Sequence, residues 1–347
     1  MFKAVRSRIL ALTLLLLAAA APGQASAAPT VLEGAGATFP YPLYSKWFKD
    51  YSAVDSAVSF KYDAIGSGGG IKRIMDRSVD FGASDKFLSD EDLSKAPGKL
   101  LHIPTVLGSV AVTYNIPGVG TGLKLTPEAL AGIYLGKITS WSDPLLAQPN
   151  PGLKLPDQPI IVVYRSDRSG TSSIFTDYLS SVNKEWADKI GRGTSVAWPA
   201  GVGANGSSKV VQQIKETPYS IGYTEIAYVL ENNMSSAQLK NRSGQFVKPS
   251  ARSTRAAAVN AFQNLKGDYR ISLVNQPGKD AYPIVGLTYL LVYQEQTDAV
   301  KGKKLVEFLN WELKKAEKMT STLFYTPLPK KVADMVAKTI KSITYPK

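Results

Sequence analysis

The segment Arg165-Ser166-Asp167-Arg168-Ser169-Gly170-Thr171 sets a guanidinium beside hydroxyls and a glycine where a strand gives way to a helix. A guanidinium is a planar fork of donors that matches two oxygens of a tetrahedral anion. Two other strand-to-helix junctions share the design, Gly36-Ala37-Thr38-Phe39 and Gly66-Ser67-Gly68-Gly69-Gly70. A helix start has main-chain N–H groups without helical partners and a partial positive charge, so it holds small oxyanions well. Thr38, Ser67, Ser169 and Thr171 add hydroxyl donors, and Asp167 can steady the Arg165 fork. Taken singly, each segment reads equally well as a tight turn, and Asp167 as a turn or capping aspartate. The glycine run is neither a P-loop, since Lys72 is followed by Arg73, nor a dinucleotide fingerprint, since Ile71 stands where the last glycine belongs.

Asp85 closes the strand-like run Val79–Ser84. An ionised carboxylate only accepts hydrogen bonds, so in an anion cleft it fits a guest that carries its own proton. Phosphate does near neutrality and sulfate does not; acceptor against acceptor in a dry site costs about 10⁴–10⁵ in affinity. The bland alternative is that Asp85 caps the turn after its strand. Enzymatic readings find little support. A Ser-His-Asp set would need His102, the only histidine, and neither Ser67 nor Ser169 sits in a G-x-S-x-G elbow; with no cysteine, a zinc site would need carboxylates alone. His102 lies in an apolar stretch and reads as structural. Trp141 and Trp198 lie in loop-like stretches, where packing is favoured over a place on a cleft rim. On the residues alone the alternatives are a carrier of another anion such as sulfate or molybdate, a secreted phosphatase or phosphate-ester hydrolase, and a basic surface adhesin or matrix protein.

The elements that must position these groups alternate between strand and helix along the 347 residues, which predicts α/β domains with largely parallel sheets. Val58–Ala64, Val79–Ser84, Thr105–Tyr114, Pro159–Tyr164 and Ile284–Tyr293 read as strands. Helices are expected over 40–52, from Ser169, over 207–215, 299–314 and 330–341. The two long apolar strands are candidates for crossings between two lobes. The net charge is +13, but the lysines are scattered and no nucleic-acid motif is present. Lys3, Arg6 and Arg8, an apolar run from Ile9 to Ala21, and Ala25-Ser26-Ala27 read as a secretory signal peptide over 1–27. With no cysteine to lipidate, the exported chain is expected to be free in a Gram-negative periplasm.

Gly34-Ala35-Gly36-Ala37-Thr38-Phe39-Pro40, Val79 to Asp85, Ile133 to Ile138 with Trp141, Arg165 to Ser172, and Ser220-Ile221-Gly222-Tyr223 resemble, in order, the periplasmic phosphate-binding protein family of high-affinity phosphate ABC transporters. The resemblance implies a two-lobe type II periplasmic binding protein. Each lobe is then a mostly parallel sheet flanked by helices, with the ligand cleft between. Residues 28–104 with 284–347 would form lobe I and 105–283 lobe II. It implies phosphate ligands at Thr38 (hydroxyl and backbone), Phe39 (backbone N–H), Ser67, Asp85, Arg165, Ser169, Gly170 and Thr171, with Asp85 taking the phosphate proton and Asp167 steadying Arg165. It further implies a monomer that delivers inorganic phosphate to a membrane permease, with no cofactor, no chemistry and no nucleic acid. Two positions depart from the family pattern: Arg168 stands where Gly is common, and Gly68 where a second serine is often found.

Overall fold

The computed structural model describes residues 28–263, 265 and 268–346; the expected signal peptide lies outside them. The main sheet has strands β1 (Thr30–Gly36), β2 (Val58–Asp63), β3 (Phe81–Ser84), β4 (Leu100–Asn115), β5 (Ile161–Arg165), β6 (Val202–Ala204), β7 (Ser220–Glu225) and β8 (Val285–Tyr293). Their order is β2-β1-β3-β8-β4-β7-β5-β6, and two short strands complete a ten-stranded sheet by pairing with β4. The outer pairs are parallel, as expected. The central contacts of β8 with β3 and β4, and of β4 with β7, are antiparallel. The fold is a two-lobe type II binding-protein architecture, and β4 serves both lobes. Its Leu100–Ser109 stretch pairs with β8, and Val110–Asn115 pairs with β7.

The structure extends β4 five residues ahead of the expected Thr105 start. Pro104 obscures this in the sequence, because proline cannot donate to a ladder. A register shift solves the problem: Tyr289 pairs with Pro104 and Thr288 with Val106, leaving Thr105 as the extra residue of a bulge. Thr105 Oγ1 then donates to the Thr288 carbonyl at 3.3 Å and accepts from Tyr44 at 2.8 Å. The bulge lies one residue from Thr288, a side chain that reaches the candidate site.

Helix α1 (Tyr41–Val54) forms where expected and runs two residues further. Leu43, Tyr44, Trp47, Phe48 and Tyr51 recur at three- and four-residue spacing and are all buried. Phe48 stacks on Phe60 and packs on Phe81 and Phe308. Each such side chain contributes about 1.5–3 kcal/mol of burial. That aromatic core anchors the helix, and so fixes the loop ahead of it. Among the described residues, no helix is long and apolar enough to cross a membrane.

Candidate functional site

Four helix starts meet where the lobes face each other. In the first lobe they are α1 and α2 (Ser67–Met75); in the second, α3 (Gly170–Val182) and α4 (Ser207–Glu216). Helices α2 and α4 begin alike. Gly66 precedes Ser67 with φ +83° and ψ 158°, and Gly206 precedes Ser207 with φ +82° and ψ 160°. A positive φ of this kind favours glycine. Ser67 and Ser207, both fully buried, are therefore delivered by the same local geometry from opposite lobes.

Parallel pairing places the carboxyl ends of β1, β3 and β5 at this junction. After β1, Ala37 donates to the Ala83 carbonyl at 2.9 Å, which holds the loop carrying Thr38 and Phe39 against β3. Tyr228 donates to the Thr38 carbonyl at 2.5 Å, Tyr62 to that of Ala37 at 2.8 Å and Tyr325 to that of Phe39 at 2.6 Å. With the carbonyls so occupied, the peptide planes of the loop are fixed. The main-chain N–H groups of Thr38, Phe39, Ser67, Gly170 and Thr171 make no hydrogen bond among the described residues. They are the donors that helix starts leave over.

Arg165, 3% exposed, ends β5. Its Nε donates to Asp167 Oδ1 at 2.6 Å and its Nη2 to Oδ2 at 2.5 Å, a two-pronged pair with the plane of the guanidinium fixed. Asp167 also accepts from Gly206 N at 3.0 Å. Burial alone would raise the Asp167 carboxyl, but the hydrogen bonds and charge of Arg165 outweigh it and hold it below its ordinary value. Nη1 turns the other way, to Ser207 Oγ at 3.2 Å and Thr171 Oγ1 at 3.3 Å. Ser207 Oγ lies 3.0 Å from Thr38 Oγ1, which connects the guanidinium to the opposite lobe. Ser169 caps α3 by accepting from Ser172 N at 3.1 Å.

Asp85 follows β3 and is 6% exposed. Thr288 donates to its Oδ1 at 2.8 Å. Ser67 Oγ accepts from Asp85 N at 3.0 Å and donates to Oδ2 at 3.3 Å. Burial pushes the carboxyl up to about 7, against the pull of Thr288, Arg165 and Ser67. Gly170 lies directly on this group: a Cβ there would overlap Ser67 Oγ and stand 2.5 Å from Asp85 Oδ2. The sequence-predicted residues Thr38, Phe39, Ser67, Asp85, Arg165, Asp167, Ser169, Gly170 and Thr171 thus form one junction. Its fixed charges are one cation and two carboxylates, so any hold on an anion comes chiefly from aligned N–H and O–H donors.

A model of the PBP superfamily domain matches residues 23–314. Phosphate-binding protein PstS of Xylella fastidiosa (strain Temecula1) is 43% identical over 299 residues, 86% of this chain and 81% of its own length. Phosphate-binding protein PstS of Pasteurella multocida is 40% identical over 88% of each chain. The chain belongs to the PstS family of phosphate-binding proteins. Structures at lower identity share its fold. The phosphate-binding protein from Stenotrophomonas maltophilia superposes with TM-score 0.69 at 22% identity, covering 89% of this chain and 93% of its own. A putative phosphate ABC transporter substrate-binding protein from Clostridium perfringens, solved with bound phosphate, gives 0.63 at 18%, covering 86% and 100%.

Within this PstS-family fold, three contributors escape a reading of the sequence. Ser207 had a usable signal, the Gly-Ser step at a helix start that repeats Gly66-Ser67. Thr288 and Tyr228 sit in an apolar strand and a short helix with no local mark. His102 stands apart from the junction: its Nε2 accepts from Leu88 N at 3.0 Å, and burial, aided by Arg270, pushes its pKa down to about 4. Trp141 is fully buried, and Trp198 is half-buried and stacks on Tyr164 and Tyr223, so both pack as expected.

Proposed function

We propose that this protein binds inorganic phosphate between its lobes and delivers it to a membrane ABC importer. One observation carries the reading: with the Asp167 carboxylate taken up by Arg165, a second buried carboxylate, Asp85, is left facing a junction of donors. Such a site suits a tetrahedral oxyanion that brings a proton, and disfavours one that does not. The names and bound ligand of the relatives support it.

In this reading Thr38 binds through hydroxyl and N–H, Phe39 through N–H, and Ser67, Ser169, Gly170 and Thr171 through the donors at their helix starts. Arg165 supplies charge, with Asp167 as the positioning residue. Residues 28–104 with 284–347 and residues 105–283 are the lobes in this reading, which close about the crossing strand β4. Export to the periplasm through residues 1–27, a monomeric state and the absence of any catalysed reaction or cofactor belong to the same proposal. About ten hydrogen bonds, many charge-assisted at about 1.5–3 kcal/mol each, offset the dehydration of the anion. Micromolar binding needs only about −8 kcal/mol net.

Equilibrium dialysis of the purified chain with radiolabelled phosphate, with excess sulfate as competitor, tests the reading. Stoichiometric phosphate binding that sulfate does not displace is expected. Displacement by sulfate, or turnover of a chromogenic phosphate ester, would overturn it in favour of another anion carrier or a phosphatase.

A further inference from the structure

The loop 167–170 of one lobe lies on residues 66–68 of the other. Gly68 N donates to the Arg168 carbonyl at 2.8 Å, a main-chain hydrogen bond from the first turn of α2 to the loop ahead of α3. The side chain of Arg168 runs over the same glycine. A Cβ on Gly68 would overlap the Arg168 Cβ and stand 3.1 Å from its Cδ and 3.3 Å from its Cγ. Arg168 is otherwise exposed. Its aliphatic stem covers the glycine while its charged end stays in water. The Arg168 Cβ is fixed to its own backbone, so no change of rotamer would clear space for a side chain at 68.

We propose that Gly68 and Arg168 form a latch across the cleft that sets how long the lobes stay shut, and so how fast bound phosphate leaves. The proposal rests on the phosphate-binding reading above. The physical reason is that donor and acceptor sit on different lobes, so the hydrogen bond and the covered glycine exist only while the lobes are together. When they part, Gly68 N–H is an ordinary first-turn donor that water satisfies. The contact therefore stabilises the shut state without touching the ligand. An interaction of that kind acts on dissociation more than on encounter. Gly68 also takes a first-turn N–H out of the anion's reach, while the neighbouring Ser67 N–H makes no hydrogen bond among the described residues.

The test is stopped-flow phosphate association and release on the full chain, with Gly68→Ala, Arg168→Gly and the double variant. Gly68→Ala should release phosphate about tenfold faster, with association within about threefold of wild type. Arg168→Gly should release it about threefold faster, because the carbonyl remains and only the cover is lost. In the double variant the added Cβ has no side chain to meet, so release should return to within about twofold of Arg168→Gly alone. The melting temperature of the unliganded Gly68→Ala protein should equal or exceed that of wild type, since alanine is favoured over glycine in a helix. Unchanged release in Gly68→Ala, or additive effects in the double variant, would overturn the latch. A wild-type chain that bound no phosphate would overturn the phosphate reading itself, and the latch with it.

Discussion

Asp85→Asn replaces one carboxylate oxygen by an amide at the point where a donor-lined site holds an acceptor. The structure says which oxygen changes. Thr288 donates to Oδ1 at 2.8 Å, so the amide oxygen takes that place and Nδ2 replaces Oδ2, beside Ser67 Oγ. Phosphate then loses a charge-assisted hydrogen bond of its own proton to Oδ2. Such a bond is worth about 1.5–3 kcal/mol, so phosphate should bind about 10- to 150-fold more weakly. Sulfate moves the other way. It meets a donor where it met an acceptor, and the about 10⁴–10⁵ penalty of an unmatched polar pair is relieved. Allowing for the loss on the phosphate side, the ratio of the two affinities should fall at least about 100-fold. Titration calorimetry at pH 8, with each anion in a buffer free of the other, measures both. Phosphate affinity within twofold of wild type, with sulfate still undetectable, would refute the role given to Asp85.

The other expectations need simpler assays. Arg165→Ala removes the only buried guanidinium of the junction and leaves Asp167 unpaired, so phosphate affinity should fall by about 2–5 kcal/mol, read by the same titration. Ser207→Ala breaks the link between Arg165 and Thr38; a loss of about 0.5–1.5 kcal/mol in phosphate binding is expected, and none would mean the link is incidental. Burial raises the carboxyls of Asp85, Glu225 and Glu312 above their ordinary values. A folded-state pKa above the unfolded one stabilises at low pH, and the gain fades as pH rises, for Asp85 between 3.8 and about 7. The unliganded protein should therefore resist urea better at pH 5.5 than at pH 8, and Asp85→Asn should flatten that slope. Both carboxyl oxygens of Glu312 are buried without a hydrogen-bond partner among the described residues, so Glu312→Met should raise the urea midpoint at pH 8 more than at pH 5.5.

Much of the fold was legible because its signals are local. The aromatic positions of α1 recur with the helical period, and β8 begins within one residue of its expected start. The early part of β4 was hidden by Pro104, which only pairing with a distant strand accommodates. At the site, glycine and serine at helix starts marked Thr38, Ser67 and Ser169. Asp85 was singled out because an acceptor among donors is chemically odd.

The order of residues alone settles which positions could offer N–H groups, hydroxyls, a guanidinium and a lone acid, since those properties belong to residue type and to short stretches of chain. It also determined where helices begin, because capping and glycine conformation act within a few residues. That Thr288 holds Asp85, that Ser207 joins Arg165 to Thr38, and that Arg168 lies on Gly68 emerges with the folded arrangement. Those contacts join parts of the chain from about forty to about two hundred residues apart. Such proximity comes from how the β-strands order and the lobes meet, and nothing in a local stretch encodes it.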